Sequence, residues 1–250
     1  MRVLVAIPVF NEQRHVTRVL TEVKRYASDV LVVDDGSTDE TPLLLARLPV
    51  EVVRHSRNRG YGRSLKDAFR WAACYGYDWL ITMDCDEQHE PASLPDFMAA
   101  IGQDDADILS GSRYLSQDQL PPADLPPQDR RRINAQITQM INERLGLNLT
   151  DSFCGYKAYR VAALGKLKID EPGYALPLQI WVQAVAHELR IREIPVRLIY
   201  NDPNRTFGGM LDNPDLRLKH YLHVFEAEMT RFPDKFGAKA SAGCGCENCR

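Results

Sequence analysis

Two carboxylates separated by a single residue, Asp84 and Asp86, are the side chains of this sequence best spaced for chemistry. In an extended segment residues i and i+2 point the same way, so both carboxylates can face one ion. Oxygen donors of this kind suit a hard cation, Mg²⁺ or Mn²⁺, which is usually shared with substrate phosphates. An ion so placed neutralises a departing diphosphate. A solvated acidic turn has the same composition, and a short triplet alone does not separate the two readings.

Two further clusters sit upstream. Asp34-Asp35-Gly36-Ser37-Thr38-Asp39-Glu40-Thr41 combines a glycine suited to a tight turn with Ser, Thr and Asp suited to capping a helix. A well-made turn accounts for Gly36 and the cap but leaves Asp34 and Asp35 unexplained. A carboxylate there could hold ribose hydroxyls or a base N–H. In Asn58-Arg59-Gly60-Tyr61-Gly62-Arg63 the glycines permit close approach of a ligand, and a following helix would present an N-terminus favourable to phosphate. A structural turn looks the same. Neither the Gly-x-x-x-x-Gly-Lys-Ser/Thr loop nor the Gly-x-Gly-x-x-Gly fingerprint is matched, which weakens kinase and hydride-transfer readings.

The elements that must position these clusters follow from periodicity. Residues 3–10 and 29–34 are apolar runs without alternation, as in strands covered on both faces. Between them Val16, Val19, Leu20 and Val23 recur at helical spacing, which predicts a crossover helix over 12–26. The pattern continues with a helix at 39–47, a strand at 50–54, a helix at 62–75 and a strand at 78–83. Such alternation predicts an α/β fold with a mainly parallel, right-handed sheet, whose ligands collect at the carboxyl ends of the strands. The three clusters, with Asn11-Glu12, all fall at such ends. Further on, 107–113 reads as a strand, 117–128 as a mobile loop and 130–145 as a helix capped by Gly146. A strand at 153–159, a helix near 177–188, a strand near 190–199 and a helix over 215–231 complete the pattern.

Composition sets the outer bounds. At 250 residues, 44% apolar and 26% charged, the chain suits a globular protein with a sizeable core. The net charge of −3 gives no general attraction to nucleic acid or to an anionic membrane. No apolar run approaches the ~18 residues that span a bilayer. Met1–Pro8 runs straight into Asn11-Glu12, so it reads as a buried strand in a cytoplasmic protein and not as an export signal. Leu218, Leu222, Phe225, Met229 and Phe232 form an apolar stripe that either docks on the domain or rests on a membrane surface. Residues 1–236 are expected to form one domain, with 237–250 a flexible tail. In that tail Cys244, Cys246 and Cys249 supply three thiols, one short of a closed zinc site.

The order of Ile7-Pro8-Val9-Phe10-Asn11-Glu12, the Asp34–Thr41 turn, Asn58-x-Gly60-x-Gly62 and Asp84-Cys85-Asp86-Glu87-Gln88-His89 resembles family 2 glycosyltransferases. Within them the chain is most similar to the dolichyl- or polyprenyl-phosphate sugar synthases. Gly111-Ser112-Arg113-Tyr114 and Thr150-Asp151-x-x-Cys154-Gly155-Tyr156-Lys157 extend the resemblance. It implies a GT-A fold with a nucleotide-sugar half at about 1–115 and an acceptor half at about 116–236. The implied activity is metal-dependent, inverting sugar transfer from a GDP- or UDP-linked donor to a polyprenyl phosphate, with peripheral contact at the inner membrane face. Pro8, Phe10 and Glu12 would border the base and ribose, with Asp34 or Asp35 also on the nucleoside and Asn58 and Gly60 beside them. Asp84, Asp86 and Gln88 would hold the metal. Arg113 would meet phosphate, and Asp151 would face the sugar or acceptor, although Asp151 also suits a turn cap after Thr150. Arg205, before Gly208, matches a basic position near the acceptor phosphate, whereas Met210-Leu211 stand where the family often has Ser-Lys. Arg130-Arg131-Arg132 could compensate.

Other readings make distinct demands. A transferase with a hydroxyl acceptor wants a general base, for which Asp151 is the candidate. A sugar-1-phosphate nucleotidyltransferase would carry a Gly-rich basic loop where this chain has Pro8-Val9-Phe10-Asn11-Glu12. A non-catalytic binder would hold nucleotide without turnover. For the tail the composition itself makes a prediction: little apolar surface is available to bury after Gly237. Deleting 238–250 should leave the thermal midpoint and sugar transfer nearly unchanged. A large, zinc-reversible loss in the full-length protein would instead make the three cysteines structural.

Overall fold

The computed structural model describes residues 1–115, 128–197, 199 and 209–237. The uninterrupted apolar runs become strands because both of their faces are covered. Strands β1 (Val3–Val9), β2 (Val30–Asp34), β4 (Trp79–Thr82) and β5 (Ile108–Ser112) are buried almost throughout, whereas β3 (Glu51–Arg54) is a largely exposed edge. Among the described residues seven strands form one sheet in the order β3-β2-β1-β4-β6-β5-β7, with β6 at Lys157–Arg160 and β7 at Ile191–Pro195. Strands β1 to β4 are parallel, as the alternation predicts, and β5 is parallel to β7. Between these sets β6 runs antiparallel to both neighbours. The sheet is therefore mainly parallel, with one reversal that the apolar pattern does not announce.

The helices keep their predicted stripes. In α1 (Val16–Val23) the buried residues are Val16, Val19, Leu20 and Val23. It begins four residues later than the periodicity suggests, because the Glu12 carbonyl is taken by the amides of His15 and Val16 in the preceding turn. Helices α2 (Thr41–Leu45), α3 (Tyr61–Cys74) and α5 (Gln128–Leu145) follow, and Gly146 closes α5 at φ 70° by donating to the Asn142 carbonyl. Helix α4 (Leu94–Gly102), which the sequence reading passes over, buries Leu94, Phe97, Ala100 and Ile101. A single turn, α6 (Val161–Leu164), follows β6. Helix α7 (Leu176–Ala186) is buried nearly all round. It lies against α8 (Pro214–Met229), where Gln179 and Gln183 each donate to the buried Glu228 at 2.7 Å. The short α9 (Pro233–Phe236) ends the described chain.

Two apolar clusters cover the two faces of the sheet, and one of them reaches from Leu4 to Met229. Phe225 and Met229 are buried in it, with Leu218, Leu222 and Phe232 packed against it, so the stripe docks on its own core. Among the described residues no helix is long and apolar enough to cross a membrane. Cys74, Cys85 and Cys154 are free thiols. The tail cysteines, the 117–127 loop and Arg205 lie outside the described residues.

The start of α3 departs from expectation. Its first amides do not point at an open site: the Pro172 carbonyl accepts from Gly62 N at 2.7 Å and from Arg63 N at 3.3 Å. The glycines make room for this segment, since a Cβ on Gly62 would sit 2.2 Å from the Glu171 carbonyl oxygen and one on Gly60 would sit 2.4 Å from that of Pro172. The close approach that the glycines permit is thus made by the protein's own chain. Gly62→Ala should cost about 1–3 kcal/mol through this overlap, measured by denaturant unfolding, whereas Gly102→Ala, with open space around it, should not destabilise.

Candidate active site

The loops at the carboxyl ends of β1, β2 and β4 are stitched together before they reach any ligand. Asn11, held at φ 57°, accepts from Thr38 N at 2.8 Å through its side chain while its own amide donates to Ser37 Oγ at 2.9 Å. Glu12 N donates to Thr41 Oγ1 at 2.9 Å, and Gln13 N to Asp39 at 3.2 Å. The polar turn that follows β2 therefore anchors the first loop as well as its own helix.

The paired acids of that turn do different work. Asp34 is fully buried, accepts from Ser37 N at 2.8 Å and pairs with Arg54 Nε at 3.1 Å. Its carboxylate shapes the turn and does not reach the cavity described below. Asp35 accepts from the amides of Arg59 and Gly60, each at 2.8 Å, and from His55 Nδ1 at 2.6 Å. The opposite ring nitrogen of His55 faces Asp67 at 3.0 Å. Asp35 thus fixes the Asn58–Gly60 loop while still lining the cavity. His55 and Asp67 carry no motif signal, and only the fold brings them to Asp35.

At the end of β4, Asp84, Asp86 and Gln88 all line the cavity. His89 fixes the turn from behind: Asp84 N donates to its Nδ1 at 2.9 Å, and the ring is buried against Tyr156 at 5.2 Å. Its Nε2 faces Cys154 Sγ at 4.0 Å. Gly155 passes over the acidic turn, where a Cβ would come within 2.7 Å of Asp84 Oδ2. The donor set, two carboxylates and an amide oxygen left uncovered by a glycine, fits a hard divalent ion that completes its shell with diphosphate and water. Among the described residues no group of three or more His, Cys, Asp or Glu side chains is placed to hold a metal ion.

The cavity is about 660 Å³, within the range of small-ligand sites. Pro8, Phe10, Glu12, Asn58 and Gly60 are in its lining. The same cavity is lined by four cations, Arg113, Arg130, Lys157 and Arg217. Arg217, on α8, donates to the Leu211 carbonyl and to Asp129, each at 2.9 Å. Lys157, on β6, donates to the Cys154 carbonyl and lies 5.1 Å from the Trp181 ring centroid; burial holds its proton affinity below the ordinary lysine range. Neither Lys157 nor Arg217 had a role in the sequence reading: one closes a motif, and the other comes from a helix over 100 positions beyond Arg113.

Asp151 is not in the cavity wall. It is wholly buried and grips Arg113 in a two-pronged pair, Nε to Oδ2 at 2.6 Å and Nη2 to Oδ1 at 3.0 Å, while Asn134 adds a bond at 3.1 Å. Burial alone would push its carboxyl up, but the Arg113 guanidinium outweighs this and holds it well below the usual carboxylate range. It also accepts from Phe153 N at 3.2 Å, the turn-capping role anticipated for it. Such a group is poorly suited to take a proton from substrate. It aims Arg113.

The fold is that of the GT-A glycosyltransferases. Glucosyl-3-phosphoglycerate synthase from Mycobacterium tuberculosis, solved with Mn²⁺, UDP and phosphoglyceric acid, matches it with a TM-score of 0.69 at 16% identity, covering 91% of this chain and 78% of that one. The profile of Glycosyl transferase family 2 matches residues 4–168, and the chain belongs to that family. It is 33% identical over 223 residues to the undecaprenyl-phosphate mannosyltransferase of Micrococcus luteus, covering 84% of this chain and 90% of the relative. To the polyprenol monophosphomannose synthase of Mycolicibacterium smegmatis it is 30% identical over 208 residues, 78% of this chain and 76% of the relative.

Removing the partner of a buried charge is costly, so Asp151→Ala should destabilise by about 3–5 kcal/mol. The depressed carboxyl contributes stability above its unfolded value of about 3.9 and loses it as pH falls toward the lower folded value. Asp151→Asn should therefore flatten the acid limb of the stability curve below about pH 5, measured by denaturant unfolding across pH. An unchanged limb would mean the pair adds no charge-linked stability.

Proposed function

We propose that this glycosyltransferase moves a hexose, mannose by analogy with its named relatives, from a nucleoside-diphosphate sugar to a polyprenyl phosphate. The observation that carries the reading is that one cavity is lined both by the carboxylates Asp84 and Asp86 and by four cations, Arg113, Arg130, Lys157 and Arg217. Ile133, Phe153, Leu176 and Tyr221 add apolar wall beside the cations. An anionic headgroup on an apolar chain fits that combination.

In this reading Pro8, Phe10, Glu12 and the Asn58–Gly60 loop hold the nucleoside. Asp84, Asp86 and Gln88 would hold Mg²⁺ or Mn²⁺, which supplies charge neutralisation for the leaving diphosphate. Arg113, braced by Asp151, is presented to phosphate with the planar geometry that suits it. The acceptor oxygen bonds to the anomeric carbon as the bond to the diphosphate breaks, so the leaving group departs with the electron pair and the configuration inverts. A phosphate monoester is already mostly dianionic at neutral pH, so no proton need be removed. The hydroxyl-acceptor reading would need Asp151 as base, and its burial and pairing argue against that.

Transfer in detergent from GDP- and UDP-sugars to a short-chain polyprenyl phosphate tests the reading. Product should form with Mn²⁺ or Mg²⁺ and not with EDTA, and Asp86→Ala should lose metal-dependent nucleotide affinity by calorimetry. Losing one charge-assisted contact costs about 1.5–3 kcal/mol, so Arg130→Ala should slow transfer by about one to two orders of magnitude with nucleotide binding kept. Glycosylation of soluble hydroxyl compounds alone would overturn the lipid-phosphate assignment.

A further inference from the structure

His55 lies where the ends of β2 and β3 meet α3. It directly follows β3, and its amide extends the pairing with β2 by donating to the Asp34 carbonyl at 2.8 Å. That register sets the ring between two carboxylates from other elements. Nδ1 is 2.6 Å from Asp35 Oδ1, and Nε2 is 3.0 Å from Asp67 Oδ2. The side chains of His55, Asp35 and Asp67 expose only 5%, 6% and 15% of their surface, so water screens neither contact well.

A neutral imidazole carries one N–H and can donate to one acceptor, whereas the imidazolium donates to two. Both partners here already serve other donors as acceptors. Asp35 takes the amides of Arg59 and Gly60, each at 2.8 Å. Asp67 takes Arg63 Nε at 2.7 Å and has Arg70 Nη1 at 3.7 Å. Burial alone would raise the Asp67 carboxyl, but its bonds to Arg63 and His55 outweigh this and hold it below the usual carboxylate range. On the β3 side Arg54 pairs with Asp34 at 3.1 Å. A bare lone pair on either ring nitrogen would face a carboxylate oxygen, so the contacts are those of an imidazolium.

This bridge bears on the cavity through Asp35, which lines it and holds the amides of the Asn58–Gly60 loop. The two segments are also packed against each other. Gly36, at φ 75°, lies so near that a Cβ would come within 2.4 Å of the Arg57 carbonyl carbon.

We propose that His55, bridging Asp35 and Asp67 as an imidazolium, is a positioning residue for the sugar donor: it holds Asp35, and through it the Asn58–Gly60 loop, in the form that receives the nucleoside. The proposal rests on the reading of that loop as part of the nucleoside site. Loss of the ring proton sets a lone pair against one carboxylate. Nucleotide affinity is therefore highest with the ring charged and falls as pH rises through its titration.

Nitrogen NMR of the full-length protein with isotope-labelled histidine reads the ring directly, and calorimetry with UDP and separately with GDP reads its consequence. The His55 signals are those missing from His55→Gln or, if that variant cannot be obtained folded, those that shift in Asp67→Asn. Both ring nitrogens should carry protons at neutral pH. Nucleotide affinity should fall over the pH range in which those signals lose a proton. Asp67→Asn keeps the shape but removes the distal charge, and it should move both transitions to lower pH together. Titration of the nucleotide's own phosphate is common to the two proteins and cancels in the comparison. Folded His55→Gln should bind nucleotide about 10–100-fold more weakly and lack the pH step. A purely structural role would lower the thermal midpoint of His55→Gln and leave the affinity of the folded protein unaltered. A bare ring nitrogen at neutral pH, or an affinity step that does not follow the ring in Asp67→Asn, overturns the role of His55 alone. Failure of the wild type to bind either nucleotide at any pH overturns the nucleoside reading, and this role with it.

Discussion

The buried pair between Asp151 and Arg113 is the interaction on which the cationic lining of the cavity depends. A carboxylate with no exposure is costly unless it is met by charge and hydrogen bonds, and here the donors come from separate elements. Arg113 follows β5, Asn134 belongs to α5, and the Phe153 amide belongs to the loop that leads into β6. From behind, Glu193 on β7 accepts from the amides of Thr150 and Asp151 at 2.8 and 3.0 Å. Meeting the needs of one carboxylate thus sets the angle of Arg113, seats α5 and fixes the start of the segment that carries Gly155 over Asp84.

The same logic separates carboxylates that look alike in the sequence. Asp34, Asp35 and Asp84 each lie at or just beyond a parallel strand, yet Asp34 is consumed by Ser37 and Arg54, and Asp35 by the amides of Arg59 and Gly60 and by His55. Asp84 keeps its place in the cavity wall because its neighbours leave it there: His89 takes its amide and Gly155 has no side chain to cover it. What a strand-end acid does is set by the donors within reach, and for Asp35 these arrive from 20 to 25 positions away.

That distance marks the limit of what the sequence alone makes legible. Strands β1, β2 and β4, α1 and the gathering of acidic clusters at the strand ends follow from local pattern, because a strand buried on both faces must be apolar throughout and a docked helix must repeat at 3.6 residues. Strand direction is not written in a four-residue run, so the reversal at β6 had no local signal. The capping of α3 by Pro172, the burial of Asp151 and the arrival of Arg217 are tertiary contacts, and each altered the expected role of a motif. Helix α4 is a different case: Leu94, Phe97 and Ile101 carry a plain helical period.

On the proposed reaction the cationic lining also bears on turnover. Arg113 and Arg217 are each held by a carboxylate outside the cavity wall, Asp151 and Asp129, so their orientation is set at folding and not at binding. Preorganised donors of this kind gain more from a ligand's charge than mobile ones, because less side-chain entropy is lost on binding. Transfer of a sugar turns a phosphate monoester, mostly dianionic at neutral pH, into a diester with a single charge. A wall of fixed cations therefore attracts the acceptor more strongly than the product it becomes. The charge change made by the chemistry itself favours release, with no separate conformational signal required.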